Sequence, residues 1–181
     1  MRHIKYIKSI SLIIVIFLST SCSKNTMKPE DFKNKEPRLI IEEYLSGNVK
    51  AWGVLQNRSG KVTRQFSADL DGTWDGKQLI LKEKFNWDDG EIQNREWTIN
   101  KIDDNHYEGT AGDVAGKAKG YSYGSVFKFE YVLLVPVKGK EMKITFDDWI
   151  FKQDDRVAIN RATMTKFGFK VAELTVVFVK D

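Results

Sequence analysis

The sequence predicts a mainly β protein: an antiparallel barrel of about eight to ten strands, with a short N-terminal helix packed at one end. Three observations point there. From Asn48 onward, apolar-rich runs are separated by short Gly, Asn and Asp turns. Within several runs, apolar and polar side chains alternate with the period of two that a half-buried strand requires. The turns are short and come in series, so consecutive strands form hairpins, and closing such a meander removes its two edges. A β-sandwich is the alternative that the same signals allow.

The first element is a leader. The 181 residues carry a formal charge of +4, which suggests an acidic partner until the charge is located. Arg2, Lys5 and Lys8 precede the apolar run Ile10–Leu18, and residues 1–21 hold no acid. Of the 29 basic residues, 26 then remain against 25 acidic ones. The apolar run is too short to span a bilayer. Ser19, Thr20, Ser21 and then Cys22 follow it, the anatomy of a signal peptide and its cleavage point. Because the sole cysteine sits there, residues 1–21 resemble a bacterial lipoprotein signal peptide, in which the cysteine is lipidated and becomes the first residue. Ser19 stands where such signals usually carry Leu. An ordinary secretory signal with an incidental cysteine is the alternative. The resemblance implies a lipid anchor in the cell envelope. Ser23, rather than Asp, favours the periplasmic side of the outer membrane in a Gram-negative cell. Residues 22–36 then form a polar, lipidated tether, and residues 37–181 a single barrel domain.

Arg38–Gly47 is expected to be the helix. Leu39, Ile40, Tyr44 and Leu45 share one helical face, Pro37 suits the start and Gly47 the end. Strands are expected at 48–57, 61–71, 77–87, 92–102, 105–112, 122–136, 141–152, 155–166 and 169–179. The turn signals between them include Ser59-Gly60, Asp75-Gly76, Asp88-Asp89-Gly90, Asp103-Asp104-Asn105, Lys138-Gly139, Asp154-Asp155 and Phe167-Gly168. Asp113–Gly120, with glycines at 109, 112, 116 and 120, reads as a bulged strand and wide turn, or as a mouth loop whose backbone meets an anion.

Alternation assigns the faces. The inward rows contain Phe66, Phe85, Trp87, Trp97, Phe127, Phe129, Tyr131 and Phe146, and these rings fit either a dense core or the lining of an apolar pocket. Arg64, Glu83, Arg95 and Asp148 fall in the same rows. Buried charges need partners, so they predict an internal ion-pair cluster; a bulge that returns some of them to solvent is the alternative.

Little dedicated chemistry remains. One cysteine and two histidines, His3 and His106, exclude a Cys/His zinc cluster, an HExxH site, a CxxC redox pair and a catalytic cysteine. There is no phosphate-binding glycine motif. The pairs Asp88-Asp89, Asp103-Asp104 and Asp154-Asp155 sit at turns, whereas Asp147-Asp148 lies within a strand and divides between the two faces. His106 has no nucleophile elbow to serve. No catalytic residue, metal or cofactor is expected. Nucleic acid is not an expected partner, since lysines alternate with acids instead of forming a stripe.

Longer strings now stand together: Ala51-Trp52-Gly53, Arg64-Gln65-Phe66, Gly72–Gly76, Phe85–Gly90, Arg95-Glu96-Trp97, Tyr107–Gly120, Phe146–Trp149 and Asn160–Gly168. Over about residues 38–180 the chain resembles DUF3833, a family of bacterial lipoproteins of unknown function. Gly124-Ser125 stands where members often show Gly-Asn, and Gly72-Thr73-Trp74 looks like the GxW of lipocalins. The resemblance implies an exported lipoprotein with one lipocalin-like β-barrel, and it supplies no catalytic residues.

Three functions fit these readings. The first is an envelope accessory protein that binds a lipid or other small apolar molecule. Its expected lining is Arg64, Glu83, Trp87, Arg95, Trp97, Asp113, Phe129, Tyr131 and Asp148, with the arginines or the Gly109–Gly120 loop meeting an acidic headgroup. The second is a small enzyme acting on a lipid-like substrate through Glu83 and Asp148 with Arg64 and Arg95. The third is a structural or scaffold lipoprotein with a filled barrel.

Overall fold

A computed structural model describes residues 27–137 and 139–181. Ten antiparallel strands close into one barrel. They are β1 (Gly47–Asn57), β2 (Val62–Trp74), β3 (Gln78–Trp87), β4 (Ile92–Lys101), β5 (His106–Ala111), β6 (Ala118–Tyr123), β7 (Val126–Val137), β8 (Lys140–Lys152), β9 (Val157–Lys166) and β10 (Phe169–Lys180). Each strand pairs with its neighbours in the chain, and β1 pairs with β10 to complete the ring, a lipocalin-like barrel. Aspartates make the turns: Asp75, Asp103 and Asp154 each accept the backbone N–H groups of the residues two and three positions on, and Asp89 accepts that of Glu91. One aspartate of each turn pair, Asp89, Asp103 or Asp154, therefore has a structural part in its turn.

The expected strand 122–136 is in fact two strands, and the expected loop Asp113–Gly120 ends inside the first of them, β6. The inward residues of β6 are Ala118, Gly120 and Ser122, all buried. They are small because large rings occupy the space beside them. A Cβ on Gly120 would lie 2.8 Å from the Phe127 ring and 2.9 Å from the Tyr107 Cβ. A strand that supplies only small inward side chains shows no hydrophobic alternation, and this is why the pattern missed it.

The N-terminal helix is also shorter than expected. Only Ile41–Tyr44 (α1) is helical, a single turn, and Ile40 is extended. The buried side chains are Leu39, Ile41, Tyr44 and Leu45, so Ile41 takes the place expected of Ile40. The segment works as a stopper across one end of the barrel, and a stopper needs one turn. Tyr44 donates its hydroxyl to the carbonyls of Arg156 and Phe178. Lys180 Nζ reaches the carbonyls of Glu43, Tyr44 and Ser46 at the helix C-terminus. Glu42, 3% exposed, accepts from Lys101 Nζ at 2.6 Å and from the Tyr107 hydroxyl at 2.8 Å.

The folded chain begins before Pro37. Within the segment read as a tether, Pro29–Phe32 make a 3-10 turn, and the Phe32 ring packs on Trp149 and Phe151 with centroids 6.1 and 5.8 Å apart. Phe32 gives that turn an apolar side chain to bury, which the lysine-rich composition around it hides. The leader and Cys22 lie outside the described residues.

The barrel wall is uneven at the other end. β5 and β6 have six residues each, against ten in β4 and twelve in β7. β4 pairs with β5 only from Trp97 to Lys101, and β7 pairs with β6 only from Val126 to Glu130. Residues 112–117 close part of the gap by folding onto β7: Ala115 donates to the Val132 carbonyl and Leu134 to that of Asp113. Val114 bridges to Leu133.

Candidate functional site

The stopper closes one end, and above it the barrel holds a cavity of about 970 Å³. Ile41 and Leu45 form part of its lining, as do Asn94, Glu96, Leu134 and Pro136, which flank the gap between β4 and β7. The interior is therefore not the filled core that a scaffold reading requires. All nine residues expected to line a site do line this cavity: Arg64, Glu83, Trp87, Arg95, Trp97, Asp113, Phe129, Tyr131 and Asp148.

Aromatic rings build most of the wall. Trp97 meets Phe129 and Tyr131 at 5.0 and 5.2 Å, and Tyr131 stacks on Phe146 at 5.0 Å with ring planes 10° apart. Phe66 packs edge-on against Phe85 and Trp87. Such faces are apolar but favour offset, directional contacts, so they shape the space as well as drying it.

The four inward charges all reach the cavity, but Arg64 is paired apart from the others, while Arg95, Glu83 and Asp148 influence one another electrostatically. Arg64 lies toward the mouth, its guanidinium 4.0 Å from the Trp87 ring centroid. It donates to Asp89 at 2.7 Å and Glu91 at 2.8 Å. The alternation pattern passes over these two partners because they belong to the β3–β4 turn. Arg95 donates through Nε and Nη2 to the Asp113 carboxylate at 2.8–3.1 Å, and its Nη1 stands 3.8 Å from Glu83. Asp148 accepts from the Tyr131 hydroxyl at 2.9 Å. Its neighbour Asp147 turns outward to Lys128 at 3.2 Å. Both arginines are thus paired with carboxylates of the protein.

Burial pushes the Glu83 carboxyl up to about 7, because the Arg95 charge at 3.8 Å is too distant for a hydrogen bond and only partly offsets lost hydration. Burial likewise pushes Asp148 up to about 7, against the stabilising Tyr131 hydrogen bond. Glu83 Oε2 and Asp148 Oδ1 are buried and receive no hydrogen bond from the protein. Among the described residues, no three His, Cys, Asp or Glu are grouped to hold a metal. His106 lies at the surface against Asp103, away from the cavity.

Two solved structures share this architecture. The S-type phycobiliprotein lyase CPES from Guillardia theta superposes with a TM-score of 0.58 at 10% identity, covering 77% of this chain and 90% of that one. A protein of unknown function from the DUF3598 family of Nostoc punctiforme gives a TM-score of 0.60 at 14% identity, covering 81% of this chain and 51% of that one. At such identities the likeness is one of fold. No curated protein matches the chain in sequence. A family profile described as a protein of unknown function, DUF3833, matches residues 16–180, and the chain belongs to that family.

Proposed function

We propose that the chain binds one small apolar or lipid-like molecule inside its barrel, as a lipid-anchored accessory protein of the cell envelope. The observation that carries this reading is the cavity itself: about 970 Å³, walled by aromatic rings, with a few polar groups at fixed positions. That is the volume and chemistry of a site for a ligand of drug or lipid size. The anchor rests on the leader and on Cys22 at its end. The test is purification from membranes, followed by native mass spectrometry and extraction. The expected result is one retained apolar molecule, or stoichiometric uptake of an apolar fluorescent probe. A barrel that retains nothing and takes up no probe refutes the reading.

One observation favours a second reading. Two carboxyls that titrate near 7 in one cavity are suited to acid–base work on a lipid-like substrate. It predicts that membrane-lipid turnover by the purified chain is lost in Glu83→Gln.

A further inference from the structure

The cavity's polar groups are out of balance in a way that names a ligand chemistry. Five carboxyls line the cavity against two arginines; with Glu91 paired to Arg64 at the mouth and Glu96 at the gap, Glu83, Asp113 and Asp148 share the interior with a single arginine, Arg95. The donors nearest these carboxyls are largely engaged, and Arg95 Nη1 stands 3.8 Å from Glu83, beyond hydrogen-bond reach. Arg95 gives Nε and Nη2 to Asp113, and Tyr131 gives its only hydroxyl proton to Asp148 Oδ2. Two buried acceptors, Glu83 Oε2 and Asp148 Oδ1, remain without a donor from the protein. A buried acceptor is costly until something donates to it.

We propose that the ligand carries a protonated amine or similar N–H donor on an apolar body, and that Glu83 and Asp148 receive it. The inference rests on the ligand-binding reading and specifies its substrate class. An anionic headgroup would meet three carboxyls and find no free cation. A neutral chain would leave both acceptors unmet. A cationic nitrogen satisfies them, and the nearby faces of Trp97 and Tyr131 accept a positive charge as well.

Three probes of equal chain length separate the possibilities: dodecylammonium, dodecanol and dodecanoate. The full chain is reconstituted in nanodiscs and offered all three in equal amounts at neutral pH, with empty nanodiscs as the partition reference. The probe held by the protein is read by native mass spectrometry. Dodecylammonium is expected to be preferred over dodecanol by about tenfold or more, the worth of one charge-assisted hydrogen bond, and dodecanoate is expected to rank last. In Glu83→Gln/Asp148→Asn the preference should fall to near parity while dodecanol still binds. If dodecanol or dodecanoate equals or exceeds the amine on the unsubstituted chain, the inference is overturned and ligand binding stands. If none of the three is retained, the ligand-binding reading falls and the inference with it. The unsubstituted chain decides these outcomes, whether or not the double variant folds.

Discussion

Asp113 clasps Arg95 through two guanidinium nitrogens at 2.8–3.1 Å, and this pair ties the loop that covers the gap between β4 and β7 to the inward face of β4. The same carboxylate draws the guanidinium away from Glu83, which stands 3.8 Å from it. The clasp therefore sets both the shape of the mouth and the charge state of the cavity.

Removing the clasp should be visible in Glu83. Asp113 raises the Glu83 carboxyl by its own negative charge and by engaging Arg95. In Asp113→Asn, Arg95 is free to turn toward Glu83. The Glu83 titration, followed by carboxyl NMR, should move down from about 7 toward the ordinary range. An unmoved titration would show that desolvation alone sets it.

The two raised carboxyls should also shape stability against pH. Each binds its proton more tightly in the folded chain than in the unfolded one, so stability falls as pH rises. The window runs from the ordinary values near 4 to about 7. The penalty at pH 8 is roughly 3–4 kcal/mol per group. Thermal melts of Glu83→Gln and Asp148→Asn should match the parent near pH 4 and exceed it at pH 8.

Glu42 should behave in the opposite sense. Burial would raise its carboxyl, but Lys101 and the Tyr107 hydroxyl hold it below its ordinary value. Its contribution is present above the unfolded-state value and is lost as pH falls through the lower folded-state value. Glu42→Ala leaves Lys101 and Tyr107 without their acceptor under the stopper. It should cost about 2–4 kcal/mol at pH 7, measured by denaturant unfolding, and much less at pH 2.

Gly72→Ala tests the seat of the stopper. A Cβ there would collide with the Leu45 carbonyl, which is backbone and cannot rotate away. The expected loss is about 1–3 kcal/mol in unfolding free energy, with weakened amide protection over Ile41–Leu45. An equal loss with full protection retained there would place the strain elsewhere.

The proposed anchor fixes an orientation. Pro29 lies seven positions after Cys22, a reach of at most about 25 Å. The turn they lead into packs beside Trp149 and Phe151, at the stoppered end. The mouth hairpins should therefore face away from the anchoring bilayer. With the Cys22 thiol acylated, a fluorophore on Asp104→Cys at the stoppered end should be quenched by lipid-borne quenchers more than one on Ser59→Cys at the mouth. Equal or reversed quenching would overturn this orientation.

Much of the architecture was legible in the residues because a half-buried strand writes itself as alternation. The rows through Phe66, Phe85, Trp97, Phe129 and Phe146 showed which faces turn inward, and with them eight of the nine cavity residues; the ninth, Asp113, came from the glycine-rich loop. The aspartates at 75, 89, 103 and 154 marked turns by their own backbone hydrogen bonding. Alternation along single strands determined those features because each is local to a few residues. The tertiary structure alone decided the rest. β6 is held by pairing with β5 and β7, its inward side chains are small because Phe127 and Tyr107 occupy the space beside Gly120, and its own sequence carries no sign of that demand. Whether the inward rings fill the barrel or surround a cavity depends on the closure of ten strands and on how deep the Ile41–Leu45 stopper sits. The partners of Arg64 and Arg95 come from a turn and a loop that only closure brings over the mouth. Pairing across a closed barrel is set by three-dimensional register, and a one-dimensional pattern of faces does not contain it.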